Sequence, residues 1–208
     1  MTSVLYFHGF ASSPGSAKIT ALRPLLAARG IELNTPDLNV PSFEHLDFDA
    51  MVETALRVAE ATPPRTVVGS SLGAQVALAI AKRGVNVPLV LIAPAMGIAA
   101  RWREKMPVED PVTVFNFARN ANAQIHLAFF KQMANLEVDV DPPPSRVTAI
   151  MGRDDETVPF DFVERHWRAW EASGKLAPGS RFVEIAQGDH GLVSQTDIIE
   201  QAIVEAAR

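Results

Sequence analysis

Short, unbroken apolar runs alternate along the chain with longer stretches in which apolar positions recur every three or four residues. The runs Val4 to Phe7, Glu32 to Thr35, Thr66 to Val68, Leu89 to Ile92, Val147 to Met151 and Phe182 to Ile185 predict strands. Several contain no polar position, the pattern of strands covered on both faces. Between them, helices are predicted over Ser16 to Arg29, Phe48 to Ala61, Leu72 to Arg83, Phe160 to Glu171 and Ile198 to Ala207. Gly30, Pro63-Pro64 and Gly84 stop the first three. Val163, Trp167 and Trp170 fall at i, i+4 and i+7, one buried stripe of a helix. Strand and helix in alternation predict an α/β domain built on a parallel sheet.

The stretch from Ala95 to Ser145 breaks this rhythm. It is too long for a simple connection, and insertions of that length are usually structured or functional. Ile125, Phe129, Met133 and Leu136 predict an amphipathic helix within it, and Pro142-Pro143-Pro144 ends it in an extended segment. The expected organisation is a single domain over residues 1–208, with residues 95–145 as a small cap insertion.

Composition narrows the chemistry. The 208 residues suffice to bury a substantial core, and a formal net charge of -5 offers no basic surface to nucleic acid. Without cysteine there is no disulfide, no thiol nucleophile and no thiolate metal site. Met1 to Phe10 has neither a basic start nor a long apolar core, so it reads as neither signal peptide nor membrane span. A soluble, cytoplasmic protein is the expectation.

Four motifs carry candidate chemistry. Gly69-Ser70-Ser71-Leu72-Gly73 follows a predicted strand and opens an alanine-rich helix. A nucleophile elbow needs that context, because its serine stands on a sharp turn and glycines two residues away on either side avoid collisions. Gly188-Asp189-His190-Gly191 follows the last strand, where a histidine can reach across a sheet edge to act as base. After strand Val147 to Met151 come Asp154, Asp155 and Glu156, any of which could orient that histidine. The fourth is His8-Gly9-Phe10. Acyl transfer needs backbone N–H donors aimed at a developing oxyanion, and the N–H groups of Leu72 and Phe10 are the candidates. His8 itself is assigned to shaping the turn, and His45, His126 and His166 lack a comparable placement.

Serine, acid and histidine in that chain order, each after its own strand, resemble the α/β-hydrolase superfamily over essentially the whole chain. The opening Tyr6 to Lys18, with its HGF turn and Ser12-Ser13-Pro14 segment, resembles more narrowly the small bacterial esterases of the YqiA type. The family pattern G-x-x-D-x-x-V-P falls on Gly152, Asp155, Val158 and Pro159, so the resemblance selects Asp155 as the acid, with Asp154 in reserve. It implies a Ser71–His190–Asp155 triad, no metal and no organic cofactor. Because the chain starts at the strand bearing the HG turn, it lacks the first two strands of the full eight-stranded fold. Six mainly parallel strands with helices on both faces are therefore expected.

The implied activity is hydrolysis of a small carboxylic ester or thioester through an acyl-enzyme. Trp102, Phe115, Phe117, Phe129 and Phe130 of the insertion are the candidates for an apolar acyl pocket. An acyltransferase or a C–C bond hydrolase would use the same triad. A non-catalytic small-molecule receptor on the same fold is the alternative from another class. A haloalkane dehalogenase would normally carry aspartate in place of Ser71.

Overall fold

A computed structural model describes all 208 residues. The elements in chain order are β1 (Thr2–Phe7), α1 (Ala17–Ala28), β2 (Ile31–Asn34), α2 (Phe48–Ala61), β3 (Thr66–Ser70) and α3 (Leu72–Lys82). Then follow β4 (Leu89–Ile92), α4 (Ile98–Glu104), β5 (Val112–Asn116), β6 (Ala121–Ile125) and α5 (Leu127–Ala134). The chain ends with β7 (Val147–Gly152), α6 (Phe160–Ala172), β8 (Arg181–Ile185) and α7 (Thr196–Ala206).

Six strands form one sheet in the order β2-β1-β3-β4-β7-β8, and every neighbouring pair is parallel. The central strands β3, β4 and β7 are buried at every position, so both faces of the sheet are covered. Helix α1 packs beside α7, and α2 beside α3. One core joins these layers, with Tyr6, Phe7, Trp167 and Trp170 among its largest buried side chains. A parallel sheet sends all its strand C-termini to one edge. The loops after β1, β3, β7 and β8 therefore converge there, and they carry the four motifs.

The insertion differs in detail from its predicted single helix. Ile125 ends β6, where it pairs with Val112, and α5 covers only Leu127–Ala134, leaving Leu136 beyond it. The antiparallel hairpin β5–β6 and the short helix α4 carry no strong periodic signal. Val112 and Val114 alternate with exposed Thr113 and Phe115, and β6 (ANAQI) is poor in β-branched residues. Main-chain hydrogen bonds from Phe117 to Ala11 (2.9 Å) and from His126 to Glu44 (2.9 Å) attach the hairpin to the body. No helix is long and apolar enough to cross a membrane.

Asp139, buried just before the proline run, ties both ends of the insertion to the body. Its Oδ2 accepts from Gln75 Nε2 of α3 (3.0 Å) and from the N–H of Gly97 (2.5 Å). Its carbonyl accepts from Trp170 Nε1 of α6 (2.9 Å). Removing the carboxylate leaves the buried Gly97 N–H without a partner and Gln75 Nε2 with only the Ala95 carbonyl (2.7 Å), so Asp139→Ala is expected to cost about 3 kcal/mol of stability. Urea unfolding of wild type and variant measures it, and a loss below about 1 kcal/mol would show that water readily replaces the carboxylate.

Candidate active site

Ser71 occupies the turn between β3 and α3 with φ 53° and ψ -117°, a strained conformation for a residue with a side chain. Its N–H donates to the Ile92 carbonyl (2.9 Å), and its carbonyl accepts from Ala74 (3.0 Å) and Ala95 (3.2 Å). The turn is tight because its neighbours are small. A Cβ on Gly73 would lie 2.3 Å from the Phe7 carbonyl oxygen, and one on Gly69 would lie 2.5 Å from that of Gly73. The HG turn packs on the elbow itself, since a Cβ on Gly9 would meet Ser71 Cβ at 3.2 Å.

His190 and Asp155 meet across the loops after β8 and β7. His190 Nδ1 lies 2.8 Å from Asp155 Oδ2, and the Asp155 side chain has no solvent exposure. The other carboxylate oxygen, Oδ1, accepts from the N–H groups of Thr157 (2.9 Å) and Val158 (2.7 Å). Three donors thus satisfy a buried carboxylate, which is what such burial requires. Asp154 and Glu156 are exposed by contrast, and Glu156 Oε2 accepts only the His190 main-chain N–H, at 3.3 Å. The two loops approach so closely because Gly152 faces Gly188: a Cβ on Gly152 would fall 2.1 Å from the Gly188 carbonyl oxygen. The N–H groups of Arg153 and Asp154 donate to Ile185 and Gly188, locking the loops together.

A cavity of about 310 Å³ opens on Ser71. Phe10, Leu72, Met96, Ile98, Trp102 and Phe130 form its apolar wall, and Arg101, Lys105 and Thr157 also line it. The main-chain N–H groups of Phe10 and Leu72 donate to no other protein group. Of the five aromatic residues considered for the pocket, Trp102 and Phe130 line it, their rings stacked at 4.5 Å. Phe129 lies behind them, buried and stacked on Phe10 at 5.9 Å. Phe115 and Phe117 stand outside, exposed on the β5–β6 hairpin and packed on each other at 5.2 Å.

The remaining histidines have other surroundings. The His8 ring is buried: Nε2 accepts from the Leu38 N–H (3.0 Å), which leaves Nδ1 to donate to the Gly9 carbonyl (2.9 Å) and brace the turn. His166 packs on Phe162. His45 and His126 stack at 4.6 Å, and with Glu44 they offer ligand atoms within 4.8 Å of one another, as a metal would need. None of these three lines the Ser71 cavity.

Lys18 belongs to none of the four sequence motifs. It is 8% exposed, and its Nζ donates to Ser70 Oγ (3.0 Å), the side chain next to Ser71. Burial pulls this ammonium down from 10.5 to about 8, against the opposing attraction of Asp155 and Asp189. Its spacing offered a clue: Lys18, Leu22 and Leu26 share one buried stripe of α1, where an unpaired lysine would not ordinarily sit.

The family described as an uncharacterised protein family, UPF0227, matches residues 3–204. No curated protein matches the chain in sequence. Among solved structures, Est1E from Butyrivibrio proteoclasticus with ferulic acid bound is similar at 18% identity and a TM-score of 0.81, over 99% of this chain and 89% of that one. The mouse alpha/beta hydrolase domain-containing protein 10 is similar at 19% identity and TM-score 0.76, over 98% and 88%. An esterase domain from Rhodothermus marinus gives 18% identity and TM-score 0.75, over 100% and 87%. At these identities the likeness shows the α/β-hydrolase fold.

The buried ammonium makes stability depend on pH with a definite sign. Below about 8 Lys18 is charged in both folded and unfolded chains, and the folded state bears the full cost of burying it. Between about 8 and 10.5 the unfolded chain binds more protons than the folded one, so this contribution makes stability rise with pH. Lys18→Met is therefore expected to be more stable than wild type by about 2 kcal/mol at pH 7, after allowing for the lost bond to Ser70. That advantage should vanish as pH rises through the same window. Paired urea titrations read the difference, and a gap independent of pH would show that the ammonium is not desolvated as its burial implies.

Proposed function

The chain belongs to the family UPF0227, and we propose that it is a serine-dependent hydrolase of small carboxylic esters or thioesters. The observation that carries this reading is the His190 Nδ1 to Asp155 Oδ2 contact of 2.8 Å, at the sheet edge where Ser71 stands on its strained turn. An ionised Asp155 makes Nδ1–H the donor, which leaves Nε2 as the base. Esterase activity among proteins of the same fold supports the reading further.

In this mechanism His190 Nε2 takes the Ser71 hydroxyl proton as Oγ attacks the ester carbonyl. The carbonyl oxygen becomes an oxyanion and accepts hydrogen bonds from the unpaired N–H groups of Phe10 and Leu72. Collapse breaks the acyl C–O bond, and the departing alkoxide takes the proton from His190 to leave as an alcohol. Water then gives a proton to His190 and its oxygen to the acyl carbon. The acid departs, and Ser71 regains its proton. Asp155 holds the imidazole in one tautomer and stabilises its cationic form. The insertion serves as a cap, with Trp102 and Phe130 against the apolar part of the substrate.

Labelling with an active-site fluorophosphonate, mapped by peptide mass, is expected to modify Ser71. Hydrolysis of p-nitrophenyl esters from acetate to octanoate should fall by about 10⁴-fold or more in Ser71→Ala and in His190→Ala, and by about 10⁴-fold in Asp155→Asn. A folded protein that is neither labelled nor active would overturn the reading and leave a ligand-binding protein on the hydrolase fold.

A further inference from the structure

Helix α4 presents a mixed face to the cavity. Ile98, Arg101, Trp102 and Lys105 follow at i, i+3, i+4 and i+7, so one stripe carries two apolar and two cationic side chains to the cavity wall. No acidic residue lines the cavity, although the chain as a whole carries a net charge of -5. Five other arginines, Arg29, Arg83, Arg153, Arg168 and Arg181, each face a glutamate. Arg103, between the two cations, donates to the Ala134 carbonyl (2.7 Å) and so fixes α4 against α5. The Arg101 and Lys105 side chains have no hydrogen-bond or ion-pair partner within the protein.

A half-buried guanidinium beside a tryptophan is partly desolvated, and an anion in the same pocket offsets that cost. Two cations one helical turn apart match one carboxylate, which accepts from both. We propose that the substrate carries, besides the scissile ester, an ionised carboxylate bound by Arg101 and Lys105, with its apolar part against Trp102, Phe130 and Phe10. This rests on Ser71 as the nucleophile of the hydrolysis described above, and it makes α4 the element that selects the substrate.

The test compares matched anionic and neutral esters. On the acyl side these are the p-nitrophenyl monoester of adipate and p-nitrophenyl hexanoate; on the alcohol side, 4-(butanoyloxy)benzoate and phenyl butanoate. The ratio of kcat/KM, anionic over neutral, is expected to fall by about ten-fold or more in Arg101→Gln/Lys105→Gln for one of the two pairs, which identifies the side that bears the charge. The swap Arg101→Lys/Lys105→Arg keeps both cations and should retain most of the preference. In Ser71→Ala, calorimetry should show the anionic member of at least one pair (monomethyl adipate against methyl hexanoate, or 4-(butanoyloxy)benzoate against phenyl butanoate) binding more tightly than the neutral one, an advantage that 0.5 M salt weakens. Unchanged ratios for both pairs, with no calorimetric preference in Ser71→Ala, overturn the proposal. Failure of the hydrolase reading is distinct, because an unlabelled, inactive protein still reports through the binding comparison whether the two cations select a carboxylate.

Discussion

The loop-bearing edge of the sheet depends on one backbone conformation, that of Ser71. Left-handed geometry at a residue with a side chain costs about 1–3 kcal/mol and persists only where its surroundings over-determine it. Here they do so from three sides. The Ile92 carbonyl at the end of β4 holds the Ser71 N–H, the first turn of α3 and the chain after β4 hold its carbonyl, and Gly9, Gly69 and Gly73 let adjacent backbones close in. The strain is thus carried by the central parallel strands, which are the best buried part of the molecule. The same turn starts α3 with an unpaired N–H at Leu72, so exposing the hydroxyl and supplying a donor beside it are one structural event.

Around that turn, two buried ionisable groups of opposite charge, Asp155 and Lys18, are treated very differently. Asp155 is sealed from solvent but accepts three hydrogen bonds, so its charge is locally compensated. Lys18 is nearly as buried, yet its only hydrogen-bond partner is a serine hydroxyl, and its compensation comes through space from Asp155 and Asp189. A cation kept behind the elbow at that cost belongs to the charge balance of the site, holding Ser70 while Asp155 holds His190. Removing it relieves desolvation and at the same time removes an attraction between Lys18 and Asp155.

Much of this was readable from the residues, for physical reasons that differ element by element. The inner strands β4 and β7 read as largely apolar runs because both their faces are covered, whereas the edge strands β2 and β8 keep exposed Glu32, Arg181 and Glu184; α6 announces itself through Val163, Trp167 and Trp170. The positions of Ser71, His190 and the acids near 155 after their strands are legible because a parallel sheet brings its strand ends together whatever lies between. The choice among Asp154, Asp155 and Glu156 was not available from local pattern. In the structure only Asp155 turns inward to the Thr157 and Val158 N–H groups, a property of loop geometry. The β5–β6 hairpin escaped notice because it covers little core: Phe115 points outward and β6 lacks strand-forming residues. For the same reason Phe115 and Phe117 looked like pocket residues by type, although they stand on the exposed side of that hairpin.

The insertion therefore divides into parts with separate physical tasks. Its hairpin makes a peripheral attachment through Phe117 and His126, whereas α4 and α5 pack together and place Trp102 and Phe130 in the cavity. Asp139 anchors Gly97 immediately before α4, and Arg103 anchors the helix to the end of α5. A seven-residue helix fixed at both ends has little freedom to turn its stripe away from Ser71. Arg101 and Lys105 are thus held at the cavity by contacts made elsewhere, with their own donors left free. The scaffold positions their charge without consuming it, through contacts separate from those that hold Ser71, Asp155 and His190 at the sheet edge.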